Sequence, residues 1–395
     1  MNSIKRIKNS DWNEFKLGDV IDTISETYKF SNEDVIFLNT SDIYLGKIIN
    51  RQYYKPKDLP GQAKKRIQKN DLLFSEIRPM NRRYALVADD VNNYVVSTKL
   101  MVLRCSDDII PEYLKFFLTS DEQLGYLQMI AEDRSGTFPQ ITFDNIADID
   151  ILLPPLPEQR AIATVLSSLD DKIDLLHRQN KTLEAMAETL FRQWFIEEAK
   201  GYWKEGVFSD EFDFTMGQSP PGDSYNEEGI GIALFQGNAD FGFRFPANRV
   251  YTTDPKRFAE KYDTLVSVRA PVGAQNMAKK KCCIGRGVAA FRYKYNNSFY
   301  TYTYFKLKSL MNEIKQYNET GTVFGSISKS DFQNLGIKIP PKEEAIKFQK
   351  IAKPIDDKTI KNSFQIRSLE KLRDTLLPKL MSGEVWVQYD KEATI

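Results

Sequence analysis

Histidine and cysteine, which often carry nucleophilic, acid–base or metal chemistry, are scarce in this chain. Its 395 residues include one histidine, His177, and three cysteines, Cys105, Cys282 and Cys283. A Ser-His-Asp triad or a histidine-rich metal site would need that one ring, and His177 falls in a helical pattern typical of a surface residue. The cysteines offer neither a disulfide framework nor C-x-x-C metal spacing. Catalysis by carboxylates or lysines stays open.

Motifs of enzymes that modify or translocate DNA are incomplete. Ser219-Pro220-Pro221-Gly222 lacks the aromatic residue with which adenine methyltransferases hold a flipped base, and no F-x-G-x-G loop accompanies it. No G-x-x-x-x-G-K-[ST] loop is present to bind nucleotide phosphates. Glu198-Ala199-Lys200 has nuclease-like spacing, but it closes a helical pattern without an acidic partner upstream in a strand. These enzyme classes are therefore disfavoured.

Two segments concentrate positive charge, although the whole chain has a formal net charge of only +1. Residues 51–83 hold ten basic and three acidic side chains, and residues 269–294 hold seven basic and no acidic ones. Such patches are typical of contact with the phosphate backbone of nucleic acid. A solvated basic face is the alternative for either segment alone. Their matching places in the repeat described below favour contact with DNA.

Side chains able to read base edges stand in and around these segments, because arginine matches guanine and asparagine or glutamine matches adenine. The predicted DNA-contacting residues of the first half are Asn39, Thr40, Ser41, Lys64, Lys65, Arg66, Arg78, Arg82, Arg83, Thr137 and Gln140. Those of the second half are Gln236, Asn238, Arg244, Arg269, Gln275, Asn276, Lys279, Lys280, Lys281, Arg286 and Thr322. Turns at Gly273, Gly285 and Gly287 are expected to let the backbone approach a phosphate.

The chain repeats itself, and the repeat determines how these residues are positioned. Ile151–Pro155 matches Ile337–Pro341 and Asp170–Lys172 matches Asp356–Lys358, both at an offset of 186 residues. Upstream the offset drifts, through the matches of Gly136-Thr137 with Gly321-Thr322, Asp71–Ser75 with Asp263–Ser267, and Leu17-Gly18 with Met216-Gly217. A constant offset downstream indicates two helical segments of matched length, each preceded by a globular segment of variable length.

Each helical segment carries residues at alternating spacings of four and three, the pattern of a coiled coil. The first runs to about Lys200, and the second should be delayed, kinked or broken near Pro354 and Pro378. The predicted residues of this spacer-helix seam are Ile162, Leu166, Leu169, Ile173, Leu176, Asn180, Leu183, Leu190, Ile355, Ile366, Leu369 and Leu376. Asn180, polar within the seam, is expected to fix the register of the helices, with a partly exposed position as the alternative.

The fold predicted from these features is α+β, with two globular domains separated by two long antiparallel coiled-coil helices in an internal pseudo-two-fold repeat. Residues 157–199 have a net charge of −3 and residues 342–377 of +3, which favours pairing of the helices. Helices that separately cover their own domains are the alternative. The predicted domains are residues 1–156, 157–200, 201–341 and 342–383, with 384–395 as a tail returning toward the first domain.

No apolar run approaches the roughly 18 to 20 residues that a membrane helix needs. The first twelve residues include basic side chains without an apolar stretch behind them. We therefore expect a cytoplasmic protein.

Several motifs give the chain a family resemblance. Leu153–Ala163 (LPPLPEQRAIA), Leu169–Ile173 (LDDKI) and Thr189–Phe195 (TLFRQWF) resemble the central shared region of the DNA-specificity subunit of type I restriction-modification enzymes. The second half is similar to that family at Phe214–Gly222, Val268–Gly273, Ile284–Val288 and Leu376–Leu380. Two departures are Arg78-Pro79-Met80-Asn81 in place of an Arg-Ala-Pro-Val-Gly loop and Pro341-Lys342-Glu343-Glu344 at the start of the second helix.

The resemblance implies that both globular domains are target-recognition domains, each recognising half of a bipartite, interrupted DNA sequence, with the helices setting the gap. It implies a chain with no catalytic residue, no metal and no cofactor of its own. The implied partners are double-stranded DNA and two methyltransferase subunits that bind S-adenosylmethionine and methylate adenine. Two restriction subunits that use ATP and Mg²⁺ can join this core.

A non-catalytic coiled-coil scaffold joining two protein-binding domains is the alternative function. It explains the helical pattern but leaves the two basic segments without a purpose. Salt distinguishes the two functions, because binding through phosphate contacts falls steeply with ionic strength.

Overall fold

The computed structural model describes residues 11–31, 33–89, 91–134, 139–199, 201–316 and 326–388. The chain divides into two compact units: unit 1 comprises residues 1–173 and 369–395, and unit 2 comprises residues 174–368. Both boundaries fall inside long helices, so each unit contains one globular segment and parts of both helices. The predicted α+β class is confirmed.

Unit 1 combines short strands with helices of very different length. Its strands are β1 (Asn13–Lys16), β2 (Ile21–Thr23), β3 (Val35–Leu38), β4 (Ile43–Tyr44), β5 (Lys47–Ile48), β6 (Tyr53–Tyr54), β7 (Ala63–Arg66), β8 (Leu72–Ser75), β9 (Tyr84–Leu86), β10 (Tyr94–Ser97), β11 (Leu100–Cys105) and β12 (Asp150–Leu153). The helices that begin in unit 1 are α1 (Leu17–Val20), α2 (Pro111–Leu118), α3 (Asp121–Arg134), α4 (Phe143–Ala147) and α5 (Leu156–Arg192).

Two four-stranded sheets form the centre of unit 1, with strand orders β6-β3-β10-β7 and β2-β11-β8-β9. β3 and β10 are parallel, whereas β8 and β11 are antiparallel. β8 is buried at every position, which explains its continuous apolar run in place of alternation. The two ends of the globular segment meet in a separate antiparallel pair, where β1 lies beside β12.

Unit 2 has the same kinds of element. Its strands are β13 (Lys204–Val207), β14 (Phe212–Met216), β15 (Tyr225–Asn226), β16 (Ile232–Phe235), β17 (Tyr251–Thr252), β18 (Phe258–Ala259), β19 (Thr264–Ser267), β20 (Gln275–Met277), β21 (Cys282–Ile284), β22 (Val288–Tyr293) and β23 (Gly336–Ile339). The helices that begin in unit 2 are α6 (Phe208–Glu211), α7 (Tyr300–Ser309), α8 (Met311–Gln316), α9 (Lys329–Asn334) and α10 (Lys342–Met381).

The strand orders of the two units match, which confirms the internal repeat. In unit 2 the order β14-β22-β19-β20 repeats β2-β11-β8-β9, and β17-β16-β21-β18 repeats β6-β3-β10-β7 with β16 and β21 parallel. β13 pairs with β23 as β1 pairs with β12. The match of Asp71–Ser75 with Asp263–Ser267 is therefore correct, because β8 and β19 occupy the same place.

One predicted match of the repeat is wrong, and another lies outside the described residues. Leu17 begins α1, and its structural counterpart is Phe208, which begins α6, so Leu17-Gly18 does not correspond to Met216-Gly217. The Leu-Gly and Met-Gly pairs look alike in sequence, whereas the true counterpart of Gly18 is Ser209. Gly136-Thr137 and Gly321-Thr322 fall outside the described residues.

A buried aspartate stands at the start of the matched strands and supports the equivalence. Asp71 accepts hydrogen bonds from Arg104 Nε at 2.8 Å and Nη2 at 2.9 Å. In unit 2 Asp263 forms the same type of bond with Arg292. Burial raises the pKa of Asp263, although the Arg292 hydrogen bond opposes that shift. Each pair ties the turn before the strand to the neighbouring strand.

α5 and α10 depart from the predicted helices mainly at their ends. α5 begins one residue earlier than predicted and passes into a π-helical turn at Gln193–Glu197, before the predicted end at Lys200. α10 begins at Lys342 as predicted and continues through Pro354 and Pro378, so neither proline breaks it. Both prolines lie on the exposed side of the helix, and packing of its buried side outweighs their cost.

The predicted seam faces the interior of both units. Buried seam residues are Ile162, Leu166, Ile173, Leu176, Asn180 and Ile366, and half-buried ones are Leu169, Leu183, Leu190, Ile355, Leu369 and Leu376. In unit 1 Arg373 Nη1 donates to Asp170 Oδ1 at 2.9 Å. In unit 2 Asn180 Nδ2 donates to Ser363 Oγ at 3.3 Å, and α5 there runs antiparallel to α10 because Phe191 stacks edge-on against Phe348.

The residues that follow α10 return to the core of unit 1 as far as Val387. Val385 and Val387 pack against the apolar cluster that contains Trp12 and Leu380. Residues 389–395 of the predicted tail lie outside the described residues.

Candidate DNA interface

The predicted contacts of unit 1 begin on an edge strand. Lys64 and Arg66 are exposed on β7, which lies at the edge of its sheet. Arg66 forms an exposed ion pair with Glu26 at 3.3 Å. Lys65 points inward and donates to the carbonyl oxygen of Leu100 at 2.8 Å, and burial lowers its pKa. Of these three residues, Lys64 and Arg66 present their charge to solvent.

The arginines after β8 flank a 3₁₀ turn at Pro79–Asn81, and they differ in role. Arg78 is exposed in the left-handed region with φ +45°. Arg82, also left-handed at φ +53°, pairs with Asp121 at 2.6 Å. Arg83 donates to the carbonyl oxygens of Ser41 and Ile43 at 3.3 and 3.2 Å. Arg78 is therefore the arginine of this group best placed for DNA, because the other two hold the fold.

The Asn39–Ser41 segment lies beside these arginines. Asn39 Oδ1 accepts from the backbone N–H of Thr40 at 2.8 Å, so the side chain caps a 3₁₀ turn at Thr40–Asp42. Ser41 is exposed, and its carbonyl oxygen binds Arg83. Gln140 is half-buried, and its backbone forms an isolated antiparallel β-bridge with Ile77, next to Arg78. Thr137 lies outside the described residues.

In unit 2 three loops meet beside β16. Gly285 N–H donates to the carbonyl oxygen of Phe235 at 2.8 Å, which places the loop of Arg286 next to Gln236. Arg286 N–H donates to Ser219 Oγ at 3.4 Å, which adds the loop that contains Gln218. The side chains of Gln218, Gln236 and Arg286 are exposed, and Asn238 is half-buried. Gln218 and Ser219 were not predicted, although they belong to the Phe214–Gly222 motif.

Gly273 and Gly287 serve the fold, which argues against the expectation that they open the backbone to a phosphate. A Cβ on Gly287 would lie 2.1 Å from the carbonyl oxygen of Gln236. A Cβ on Gly273, where φ is +88°, would lie 2.8 Å from the Lys315 side chain. The space that these residues leave is filled by the protein itself, so they fix the loops in place.

The lysines between β20 and β21 and the arginine after β19 remain at the surface. Lys280 is exposed, and Lys281 pairs with Glu260 at 3.0 Å. Lys279 lies 5.1 Å from the centre of the Phe364 ring, and burial together with the nearby Arg367 and Lys280 lowers its pKa. Arg269 is exposed, and its backbone forms an isolated antiparallel β-bridge with Ser326. Thr322 lies outside the described residues.

Two predicted contacts of unit 2 lie in its interior, a third is half-buried, and all three must be corrected. Arg244 is 1% exposed, and its guanidinium lies 3.9 Å from the centre of the Tyr304 ring. Asn276 is fully buried and donates to the carbonyl oxygen of Gly242 at 2.6 Å. Gln275 donates to the carbonyl oxygen of Tyr304 at 2.7 Å. They are structural contacts, because their polar side-chain atoms are buried or bonded to other groups of the unit.

Neither a metal-binding cluster nor a membrane-spanning helix occurs in the described part of the chain. It contains no group of three or more His, Cys, Asp or Glu side chains that could hold a metal ion. None of its helices is long and apolar enough to cross a membrane.

Comparison with known proteins gives matches over most of the chain. The family model for the type I restriction modification DNA specificity domain matches residues 9–185 and 249–371. The specificity subunit of the type I restriction enzyme HindI from Haemophilus influenzae is 32% identical, covering 95% of this chain and 100% of that protein. The MjaIX specificity subunit from Methanocaldococcus jannaschii is 28% identical, covering 71% of each chain.

A solved structure shares the fold. The crystal structure of a type I restriction-modification S subunit from M. genitalium aligns with a TM-score of 0.61 at 18% identity. The alignment covers 94% of this chain and 96% of that one.

Proposed function

The chain belongs to the family of type I restriction-modification DNA specificity subunits, and we propose that each of its units recognises one half of a bipartite, interrupted DNA sequence. A specificity subunit is the recognition component of such an enzyme and is not catalytic. The single observation that carries the division into half-sites is the repeat of strand order between the units. Two copies of one recognition fold with different loop residues can contact two different short sequences.

The surface of each unit supplies the two kinds of contact that recognition needs. Exposed Lys64, Arg66 and Lys280 suit phosphates, which position the protein without sequence information. Arg78 in unit 1 and Arg286 in unit 2 suit base edges, because a guanidinium can bind guanine through two hydrogen bonds.

Exposed amides beside Arg286 extend the proposed base-reading surface of unit 2. Gln236 and the newly identified Gln218 are both exposed there. Glutamine can bind adenine through two hydrogen bonds, as arginine binds guanine. A triplet of an arginine and two glutamines can therefore discriminate several adjacent bases.

We assign the spacing of the half-sites to α5 and α10. α5 contains 37 residues and α10 contains 40, and an α-helix rises about 1.5 Å per residue. A pair of packed helices is stiff, so its length fixes the number of base pairs between the half-sites. The same helices would bind two methyltransferase subunits that use S-adenosylmethionine, and two restriction subunits with ATP and Mg²⁺ would join the cytoplasmic complex.

Sequencing of modified adenines tests the proposed function directly. Host DNA is compared by single-molecule sequencing with and without the gene for this chain, and the companion methyltransferase subunit is supplied from a plasmid in both strains. A split motif should lose its adenine methylation when the gene is deleted and regain it on complementation. Methylation that does not depend on the gene would contradict the proposal.

A further inference from the structure

The segment of unit 2 that contains Gln236 and Asn238 is fastened to α10 by its own buried side chains. This recognition segment, residues 236–250, connects β16 to β17. Its outer surface includes Gln236 and Phe243, which is 43% exposed. Its inner side carries Arg244 and Phe245, which are 1% and 2% exposed. Both buried residues contact elements far along the chain.

The first attachment is an ion pair inside the unit. Arg244 Nη2 lies 3.1 Å from Asp356 Oδ1 on α10, and both side chains are inaccessible to solvent. Thr301 donates to the other carboxylate oxygen of Asp356 at 2.9 Å. The Tyr304 ring covers the guanidinium. An ion pair of this kind has few alternative geometries, because either charge would be stranded if the segment moved.

The second attachment lies farther along α10. The Phe245 ring stacks on the Phe364 ring with centroids 5.0 Å apart and planes 10° apart. Arg367 Nη2 donates to the carbonyl oxygens of Phe245 and Pro246 at 2.8 and 2.9 Å. Phe364 and Arg367 follow Asp356 by eight and eleven residues, so all three residues share one face of the helix.

The opposite edge of the segment is bound to β20. Asn276 binds the carbonyl oxygen of Gly242, and Met277 N–H donates to the carbonyl oxygen of Arg244 at 2.9 Å. The segment is therefore held between a strand and α10. Base reading by hydrogen bonds needs donors and acceptors placed within about 0.5 Å. A segment fastened in this way meets that requirement.

We propose that Arg244 and Asp356 are positioning residues that orient the recognition segment of unit 2 against α10 and thereby determine which bases this unit accepts. The proposal rests on the proposed function of unit 2 in DNA recognition. Neither side chain touches DNA in this scheme. They act through Gln236 and Asn238, whose distance from the base edges they set.

The repeat supplies a matched comparison. The residue of α5 that corresponds to Asp356 at the offset of 186 is Asp170. Asp170 pairs with Arg373 on α10, at 2.9 Å, within unit 1. The pair therefore joins helix to helix, whereas Arg244 and Asp356 join a loop to a helix. Removal of the two pairs should have different consequences for base preference.

The test uses the double variant R244M/D356L, with R373M/D170L as the control, in the complete methyltransferase complex. In R244M/D356L the apolar replacement of both charges keeps the interior filled and leaves neither partner of the pair as an unpaired buried charge. The control also removes the 3.9 Å contact of Asp170 with Lys115, so its unfolding temperature can fall without a change of base preference. Modified adenines are mapped by single-molecule sequencing, and unfolding temperatures of the purified complexes are measured. The milder variant R367Q, which removes two hydrogen bonds at a half-buried position, serves if R244M/D356L does not fold.

We expect R244M/D356L to relax discrimination by about tenfold or more at one or more bases of a single half-site, which is the loss of one bidentate base contact. The other half-site and the gap should stay unchanged, and the control should retain both base preferences. An equal loss of methylation at all sites without a change of base preference would show a purely structural role and overturn the proposal. So would an unchanged half-site in the folded variant. A wild-type complex without any split motif would instead refute the proposed function itself.

Discussion

Asn180→Leu tests whether a buried amide fixes the register of the helices at a cost in stability. Asn180 is 1% exposed, its Nδ2 makes a 3.3 Å hydrogen bond to Ser363 Oγ, and its Oδ1 has no hydrogen-bond partner among the described residues. Ser363 keeps its own bond to the carbonyl oxygen of Thr359 at 2.8 Å in the variant. The amide is therefore only half satisfied in the wild type.

The magnitude follows from three contributions. Loss of the hydrogen bond costs about 0.5–1.5 kcal/mol, and removal of the unpaired oxygen regains about 1–3 kcal/mol. Burial of a leucine side chain adds about 1.5–3 kcal/mol less the burial already made by asparagine. We expect the free energy of unfolding to rise by roughly 1–2 kcal/mol, which corresponds to an increase in Tm of about 2–4 °C per kcal/mol.

The assay is calorimetric unfolding at one fixed protein concentration, with Lys181→Leu as the matched control. Lys181 is exposed on the same helix, and its replacement should change the free energy of unfolding by less than about 0.5 kcal/mol. The complex with Asn180→Leu should also methylate sites with more than one gap length, because an apolar seam no longer selects one register. A lower Tm would refute the energetic reasoning. A single, unchanged gap would refute the register role.

The remaining predictions concern spacing, charge and loop geometry. Insertion of one heptad in each of α5 and α10 should lengthen the recognised gap by about three base pairs, since seven residues span roughly 10 Å and a base-pair step about 3.4 Å; a methylation motif with an unchanged gap would sink the rigid-spacer idea. K279A/K280A should reduce the steepness of log K for DNA against log salt by about two, as measured by fluorescence anisotropy, because each phosphate contact contributes about 0.9. Lys204→Ala, a change at an exposed lysine, should leave the slope unchanged. Equal slopes for the wild type and both variants would argue against phosphate contact. Gly287→Ala should lower the free energy of unfolding by roughly 1–3 kcal/mol and weaken DNA discrimination, because its Cβ would meet the Gln236 carbonyl oxygen at 2.1 Å. Gly222→Ala, whose Cβ would meet nothing within 4 Å, is its control, and equal unfolding midpoints for the two variants would contradict the packing argument.

The sequence predicted the helices and the repeat because both depend on local, periodic signals. Apolar spacing located the seam from Ile162 to Leu376, and the constant offset placed Asp170 opposite Asp356 in the alignment. The prediction that Pro354 and Pro378 delay or break the second helix was wrong, because the rule for proline is local whereas the packing that holds Pro354 in α10 involves residues distant in sequence.

Side chains of the candidate interface were harder to predict, because residue type alone does not say which way a side chain points. Arg244 carries the charge and shape of a guanine contact, yet its partner Asp356 is more than a hundred residues away. Arg78 and Arg83 stand five residues apart, and only the first presents its guanidinium freely to solvent whereas the second binds two carbonyl oxygens. Burial and tertiary hydrogen bonds decide such cases, and no periodic signal reports them.

The pairing of β1 with β12 and of β13 with β23 has a genetic consequence. Each globular segment begins and ends in two adjacent antiparallel strands, so its two ends are neighbours, and the second strand of each pair leads into a long helix. A piece of chain with adjoining ends can be replaced as a cassette, because the new piece needs only to supply the same strand pair. Recombination within the DNA that encodes α5 and α10 would then exchange one recognised half-site at a time. The length of the two spacer helices would stay the same. New sequence preferences would arise by exchange of whole globular segments, and the fold would stay intact.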